Sequence, residues 1–519
     1  MPKPRTSTTR RQQTAKPFSL GGHPLVYEVN ARVLVNELST EIGKRLSLAT
    51  IPDSLIDEWA SHGFEAIWLM GVWTTGDIGL QIARTDPSLR EEYKNVLSDF
   101  SDEDVIGSPY AVKSYTVSPR LGGKTALASL RKRLASKGMG VILDFVSNHT
   151  ARDHSWVARH PEYYVNGADG DTIASPDRFF ATETVEGHRV LAYGRDPYFP
   201  GWTDTAQLNV RHPLARQVMI HELRKIAGQC DGVRCDMAML ILQEVFEKTW
   251  GEISKPSDVE PAIGEFWTEA IETVRKDSPS FFFIAEAYWD LEWKLQQLGF
   301  DFTYDKALYD RLLREGAGSV YKHLKAEATY QAHSLRFLEN HDEPRAAHSL
   351  PNEAWHCAAA TAAATVPGMF LLHEGQMEGK RIKLPVQLGR RPDEPVSEQL
   401  KSFYRKLLAC VGTSVFKNGE WSLLHVKPAW QDNQTWRDML AFWWREKAGG
   451  NRLVVVNYAP QNGQCYVEMN LDEVNGSKIE FRDMLGEASY VRDKATLLGK
   501  GMYFDLPPYG IHVFDVNPV

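Results

Sequence analysis

The sequence predicts an α/β protein with a (β/α)₈ TIM barrel, a loop-rich subdomain inserted after the third strand, and a C-terminal antiparallel β-sandwich. Short apolar runs alternate with helical patterns over about 390 residues, as in a closed parallel barrel. Residues 150–208, rich in Gly, Pro, Asp and aromatics, are too long for an ordinary strand-to-helix loop. After residue 412, only short strand patterns separated by turn residues remain, which indicates a sandwich.

The barrel strands are predicted from short apolar runs bounded by turn signals, because strands covered on both faces are nearly continuously apolar. These strands lie at residues 25–29, 66–70, 139–146, 232–236, 281–286, 300–303, 335–338 and 368–372. Helical periodicity predicts the helices between them. The first helix begins near residue 53. The others are predicted at 125–136, 213–228, 240–249, 261–276, 306–314, 319–326, 353–365 and 398–408.

The domain boundaries follow from these patterns. The barrel is predicted at residues 21–149 and 209–412, interrupted by the inserted subdomain at 150–208, and the sandwich occupies 413–519. Residues 1–20 are polar and basic without an apolar core, so they predict a disordered tail, not a secretory signal. Six short sandwich strands are predicted at 421–426, 439–445, 453–458, 465–469, 479–484 and 511–516.

Composition excludes several classes of function. The net charge of −8 offers no electrostatic basis for binding nucleic acid or an anionic membrane. No run of 18 apolar residues occurs, so no transmembrane helix is expected. Five scattered cysteines without a C-x-x-C pair favour free thiols, and we expect a cytoplasmic protein. The oligomeric state stays open.

Four acidic residues lie at the ends of predicted barrel strands: Asp144, Asp236, Glu286 and Asp342. A carboxylate is costly to bury, so four apolar strands that end in acids are unusual. The active site of a barrel of this kind gathers at the C-terminal ends of its strands. The sequence therefore predicts a single acidic pocket.

Around these acids the chain carries four motifs in order. The motifs are DFVSNH at 144–149, GVRCD at 232–236, AEA at 285–287 and FLENHD at 337–342. In their residues and spacing they resemble the α-amylase superfamily of retaining glycosidases and transglycosylases. Two weaker segments, SPYAV at 108–112 and QLN at 207–209, also resemble that family.

The resemblance implies three catalytic residues. Asp236 corresponds to the nucleophile, Glu286 to the general acid and then base, and Asp342 to a third carboxylate that grips sugar hydroxyls and helps to distort the ring. Retaining hydrolysis needs two carboxyl groups about 5–5.5 Å apart. The acid must begin protonated, and the apolar strand before Glu286 favours that state by desolvation.

The substrate-binding residues implied by the resemblance surround these acids. Tyr110 is expected to stack beneath the sugar, and His149 and His341 to bond its hydroxyls. Arg234 lies two residues before the nucleophile, so the two side chains share one side of the strand and the guanidinium favours a charged carboxylate. Asp144 is expected to tie Arg234 to the pocket floor.

No cofactor is required by this chemistry, and no cofactor-binding or metal-ligating residue is predicted. Calcium is left open, because Asn148 could ligate it with help from the inserted subdomain. Calcium-dependent relatives carry a Lys-His pair shortly after the nucleophile, whereas this chain has Met-Ala-Met-Leu at 237–240, which weakens the inference of calcium.

The predicted activity is hydrolysis of α-1,4-glucosidic bonds in malto-oligosaccharides or α-glucans. Three alternatives stay open: transfer to a sugar acceptor, as in a glucanotransferase or maltosyltransferase; a trehalose-forming isomerase; and a non-catalytic sugar-binding relative. The long connection at 71–124, which carries a predicted helix at 86–97, either walls one end of the cleft or is a solvated insertion.

Overall fold

The computed structural model describes residues 18–256, 259–447 and 449–519. The predicted disordered tail lies outside the described residues up to residue 17.

Eight parallel strands close into a barrel, as predicted. The first strand pairs with both the second and the eighth, which completes the ring. The strands are β1 Leu25–Asn30, β2 Ala66–Met70, β3 Gly140–Val146, β4 Gly232–Asp236, β5 Phe282–Ala285, β6 Phe302–Tyr304, β7 Ser334–Arg336 and β8 Met369–His373.

Large apolar side chains fill the barrel because alternate strand residues point inward. Trp68, Ile142 and Phe337 belong to this buried interior cluster. The outward-facing residues pack against the helical layer, where the alanine-rich helix Glu353–Ala364 has eight buried residues. Its small side chains let this helix approach the barrel closely.

The barrel helices follow the predicted alternation, with local differences. An unpredicted helix, Ala31–Ile42, directly follows β1, and its N-cap Asn30 accepts hydrogen bonds from the main chain of the first turn. The helix predicted at 261–276 begins only at Phe266, because Gly264 has a φ of +80° that a helix cannot contain. The other described helices of this layer are Asp53–Ser61, Gly123–Ala135, Pro213–Ala227, Gln243–Trp250, Glu292–Gln297, Lys306–Arg314, Ala317–His323, Ala328–Ala332, Ala346–Ser349 and Glu398–Val411.

The connection after β2 contains its own secondary structure. Strands Trp73–Thr75 and Val112–Val117 pair antiparallel and enclose two helices, Asp77–Thr85 and Pro87–Val96. The second helix matches the predicted one, with Asp86 as N-cap acceptor. The first was not predicted.

The segment after β3 carries a hairpin, Phe179–Thr184 with Gly187–Ala192. A short antiparallel ladder of His149–Ala151 with Thr205–Gln207 joins the start of this segment to its end. The helices within it are short, Ser155–Arg159 and Asp171–Ala174.

Two antiparallel sheets form the C-terminal sandwich, as predicted. The six-stranded sheet contains Glu420–Leu423, Met439–Arg445, Asn451–Asn457, Ile511–Pro518, Lys478–Asp483 and Ser489–Asp493, and the three-stranded sheet contains Val426–Pro428, Gly463–Val467 and Met502–Leu506. Their inner faces share one apolar core. The single strand predicted at 421–426 is wrong, because the chain crosses there from one sheet to the other. A helix at Lys494–Lys500 was also not predicted.

Across the described part of the chain, no helix has the length and sustained apolar character that crossing a bilayer requires.

Candidate active site

Four of the five acidic residues of the motifs, all except Glu339, gather at the C-terminal ends of the barrel strands around one arginine, Arg234 of β4. Its Nη1 lies 2.7 Å from Asp236 Oδ1, and its Nη2 lies 2.7 Å from Glu286 Oε2. Asp144 and Asp342 lie farther from the same guanidinium, at 3.6 and 3.8 Å. Strands distant in sequence therefore present all four carboxylates to a single cation.

Arg234 is fully buried, and three aromatic rings surround its guanidinium. The rings of Trp68, Tyr110 and Tyr304 lie 5.3, 5.2 and 5.8 Å from its Cζ, and the Tyr304 hydroxyl accepts a hydrogen bond from its Nε at 3.3 Å. A buried charge needs paired, hydrogen-bonded neighbours, and aromatic faces stabilise a desolvated cation further. This packing holds the planar guanidinium group of Arg234 in one orientation.

The carboxyl group of Glu286 is almost entirely shielded from solvent, with 3% exposure. Burial raises the pKa of Glu286 to about 7, although the attraction of Arg234 opposes the rise. The Met237 N–H donates to its Oε2 at 2.6 Å, and the Tyr288 hydroxyl lies 2.9 Å from its Oε1. Glu286 thus resembles a general acid that is protonated near neutral pH.

The backbone turns sharply at Met237, directly after Asp236. Its φ is +41°, a left-handed conformation that costs free energy for a residue with a side chain. The turn aims the Met237 N–H at Glu286 and so links the end of β4 to the end of β5. Strain of this kind persists only where the surrounding structure holds it.

Asp342 forms a chain of contacts with His341 and Glu28. His341 Nε2 lies 2.9 Å from Asp342 Oδ2, and its Nδ1 lies 2.5 Å from Glu28 Oε1. Burial lowers the pKa of His341, but the two carboxylates outweigh burial and raise it to about 10. Partial burial raises the pKa of Asp342, but the charge of His341 outweighs it and holds the pKa below its usual range. Asp342 is 43% exposed, so it faces the entrance.

Tyr110 and His149 also lie at this pocket. The Tyr110 hydroxyl is 2.7 Å from His341 Nε2, and the two rings stack with centroids 5.4 Å apart. Burial lowers the pKa of His149, with the nearby charge of Asp236 opposing it, so the ring is neutral at physiological pH. The structure thus brings both residues to the acids, as the motifs predict.

Asp144 lies against Trp68, a residue of the barrel interior. Its Oδ1 accepts a hydrogen bond from Trp68 Nε1 at 3.2 Å and faces Arg234. Burial raises the pKa of Asp144 to about 6, against the attraction of Arg234. This placement fits the predicted floor position.

Several residues that complete the pocket were not predicted as site residues. Glu28 lies inside an apolar strand that carries no motif. Its only signal in the sequence is an acidic residue at a strand position where a buried residue is expected. The remaining residues are Trp68, Tyr288 and Tyr304, whose aromatic side chains are indistinguishable in sequence from core residues.

The surroundings of Asn148 do not fit a calcium ion. Gln207 Nε2 donates to three oxygens, the Asn148 carbonyl at 2.8 Å, Asn148 Oδ1 at 2.9 Å and the Leu208 carbonyl at 3.1 Å. The Gln207 Oε1 accepts in return from Asn148 Nδ2 at 3.2 Å and from the Arg195 N–H at 3.4 Å. The oxygen atoms that would ligate calcium therefore already accept hydrogen bonds from an amide nitrogen.

No cluster of three or more His, Cys, Asp or Glu side chains suited to a metal occurs within residues 18–256, 259–447 and 449–519.

Comparisons with known proteins identify the family of the chain. Residues 63–384 match the family model described as alpha amylase, catalytic domain. Alpha-amylase MalA of Haloarcula japonica is 24% identical over 384 residues, covering 72% of this chain and 51% of the relative. Alpha-amylase 3 of Dictyoglomus thermophilum is 23% identical over 309 residues, covering 55% of each chain.

Among solved structures, a noncanonic maltogenic alpha-amylase, AmyB of Thermotoga neapolitana, superposes with a TM-score of 0.66 at 20% identity, covering 95% of this chain and 98% of that one. At this identity the likeness concerns the fold. The chain spans about half the length of the curated relatives that it matches.

Proposed function

Because the chain belongs to the α-amylase family of glycoside hydrolases, we propose that it cleaves α-1,4-glucosidic bonds of malto-oligosaccharides or α-glucans with retention. One observation carries the proposal. Adjacent nitrogens of the Arg234 guanidinium each hold one carboxyl group, Asp236 at 2.7 Å and Glu286 at 2.7 Å. This proximity supports a nucleophile and an acid that act on a single glycosidic bond.

In the first step, an Asp236 oxygen attacks the anomeric carbon while the glycosidic bond breaks. The departing oxygen takes the proton of Glu286. Oε2 accepts a hydrogen bond from the Met237 N–H and lies 2.7 Å from Arg234 Nη2, so we assign the acidic proton to Oε1. The products are the shortened sugar and a glycosyl ester of Asp236.

In the second step, the ionised Glu286 removes a proton from water, and the hydroxide oxygen attacks the anomeric carbon from the face that the leaving group vacated. The bond to Asp236 breaks, and Arg234, at 2.7 Å, stabilises the returning carboxylate. Two inversions leave the product in the α configuration.

Asp342 and its partners supply the sugar contacts in this proposal. The exposed carboxylate of Asp342 faces the pocket entrance with His341 behind it. Both groups can form hydrogen bonds with neighbouring hydroxyls of one glucose ring. The Tyr110 ring offers an apolar surface beneath that glucose.

The test compares wild type with Asp236→Asn and Glu286→Gln on maltoheptaose, with products followed by chromatography and the anomer by NMR. We expect shorter sugars released as the α anomer, and a loss of turnover of at least about 10³-fold in both variants. Asp290→Asn, an exposed acid in the loop after β5, is the matched control and should retain activity. Release of the β anomer, or full activity in Asp236→Asn, would refute the mechanism.

Transfer to a sugar acceptor is a second candidate, favoured by exposed aromatic rings near Glu286. Trp289 is 39% exposed, and its ring meets that of Tyr198, from the inserted segment, with centroids 5.1 Å apart. Trp289 has a left-handed φ of +65°, so the backbone after β5 bends away from the direction of that strand at this residue. Products longer than maltoheptaose, reduced in Trp289→Ala, would support transfer, whereas shorter sugars alone would support hydrolysis.

A further inference from the structure

Two loops meet at one side of the pocket and form a clasp that the mechanism above does not use. The clasp consists of residues 104–107, from the connection after β2, and residues 386–390, from the loop after β8. Val105 and Leu388 form an antiparallel bridge. The Ile106 N–H donates to the Gln387 carbonyl at 2.8 Å, and the Gly389 N–H donates to the Asp104 carbonyl at 2.8 Å.

An ion pair reinforces the clasp. Arg390 grips the Asp104 carboxylate with two nitrogens, Nε at 2.6 Å and Nη2 at 2.9 Å, and Nη2 also lies 2.9 Å from Asp99 Oδ1. Bidentate pairs of this kind are the geometrically specific ones. Beneath the pair, Val105 and Leu388 are fully buried in an apolar cluster with Tyr93. Backbone, charge and apolar contacts together make the clasp a packed part of the fold.

The clasp lies above the carboxyl end of β1, beside the catalytic pocket. Arg32, two residues after β1, donates to the Gly107 carbonyl at 2.9 Å and to the Val386 carbonyl at 2.7 Å, one from each loop. Tyr110 follows Gly107 by three residues, and Lys383 donates to the Asp342 carbonyl. Each half of the clasp therefore continues directly into the pocket wall.

The topology sets which side of the substrate the clasp faces. Glu286 follows β5, and β1 and β5 lie on opposite sides of the eight-strand ring. The general acid protonates the departing oxygen, so the leaving part of the chain lies on the β5 side. The far end of the glucose being transferred, which carries O4, then points toward β1.

We propose that the clasp closes the pocket behind the glucose that is attacked, so that the enzyme acts on the non-reducing ends of α-glucans and not on bonds within the chain. This proposal rests on the hydrolytic function proposed above and names its substrate class: oligosaccharides with a free, unsubstituted non-reducing glucose. Asp104 and Arg390 are specificity-determining residues on this basis.

The test uses 4-nitrophenyl α-maltoheptaoside and the same compound with O4 and O6 of its non-reducing glucose joined in an ethylidene acetal, with products followed by mass spectrometry. We expect stepwise trimming of the free chain and turnover of the blocked chain at least about 100-fold slower. Equal internal cleavage of both chains would overturn the proposal. Turnover of neither, nor of maltose, would instead overturn the hydrolytic function, and this proposal with it.

Opening the clasp gives a second readout. Arg390→Ala removes both contacts to Asp104, and we expect cleavage of the blocked chain to rise at least about tenfold. Arg381→Ala, an exposed arginine of the same loop, is the matched control and should still reject the blocked chain. A folded Arg390→Ala enzyme that also rejects it would overturn the role of the clasp. The wild-type comparison decides the proposal even where the variant does not fold.

Discussion

Glu28 and His341 meet inside the barrel with Oε1 and Nδ1 2.5 Å apart, although 313 residues separate them in the chain. The carboxylate fixes which ring nitrogen faces Asp342 and keeps the imidazole charged at neutral pH, since the pKa of His341 is raised to about 10. A buried acid of β1 thus orients His341 and Asp342, the pair in the loop after β7 that we propose to bind the sugar.

We expect Glu28→Gln to reduce kcat/KM by about 10–100-fold, because a small misplacement of His341 and Asp342 weakens their grip on the sugar. Glu28→Ala should also destabilise the fold by about 1–3 kcal/mol, since it removes one of the two carboxylates that pair with the buried His341. Kinetics on maltoheptaose and urea unfolding measure the two effects. Glu41→Gln, at an exposed helix position, is the control.

The same pair predicts a pH dependence of stability. The folded pKa of His341 lies above its ordinary value of 6.5, so its stabilisation is complete below pH 6.5 and is lost as the pH rises through about 10. Urea midpoints of the wild type should therefore fall over this range more steeply than those of Glu28→Gln. Parallel pH profiles for the two proteins would show that the pair contributes nothing.

Activity should fall at alkaline pH because Glu286 must be protonated to act as an acid. With its pKa raised to about 7 by burial, we expect the alkaline limb of kcat/KM to bend near pH 7. The measurement is a pH profile on maltoheptaose, corrected for stability. A limb at the ordinary carboxyl pKa of 4.5 would contradict the burial of this group.

Arg234→Lys should lower kcat by about 10²–10³-fold, because an ammonium group is a point charge that cannot hold Asp236 and Glu286 with two adjacent nitrogens. Arg131→Lys, whose ion pair with Asp231 lies outside the pocket, is the matched control. Wild-type kcat in Arg234→Lys would show that the two-nitrogen grip is dispensable.

Chelation of calcium should leave the wild type unchanged, because Gln207 Nε2 already satisfies the oxygens of Asn148 and Leu208. We expect the same Tm in EGTA and in millimolar calcium. Gln207→Glu places a carboxylate against those oxygens, so its Tm should drop in EGTA and recover with calcium. Calcium at 100 times Kd adds about 2.7 kcal/mol to the free energy of unfolding.

Gln399→Glu, on an exposed helix face, controls for the added charge in this experiment. A wild-type Tm that rises saturably with calcium would contradict the assignment of Gln207.

The barrel strands and motif acids were predictable because their signals are local. An apolar run such as Ala66–Met70 reads as a buried strand whatever surrounds it, and the acid that ends a run, such as Asp236, is visible in the same few residues. The helix Ala31–Ile42 was not predicted: Asn30 is both the last residue of β1 and the N-cap of this helix, so no loop separates the two elements.

The supporting residues of the pocket were not predictable, since their roles depend on partners far away in the chain. Trp68 is one of several aromatic residues in apolar strands, and only its hydrogen bond to Asp144, 76 residues later, distinguishes it. Likewise, Asp104 and Arg390 are 286 residues apart and look like ordinary surface charges in the sequence.

Motif order and strand periodicity sufficed to place the acids, because both are properties of short stretches of chain. Closure of the barrel decided the rest: it sets β8 and β2 on either side of β1, with β7 next to β8, and so brings Glu28 to His341 and Arg390 to Asp104. Such pairs form only when the ring is complete, because burial and distance between remote segments, which set both charge state and access, do not exist in the linear chain.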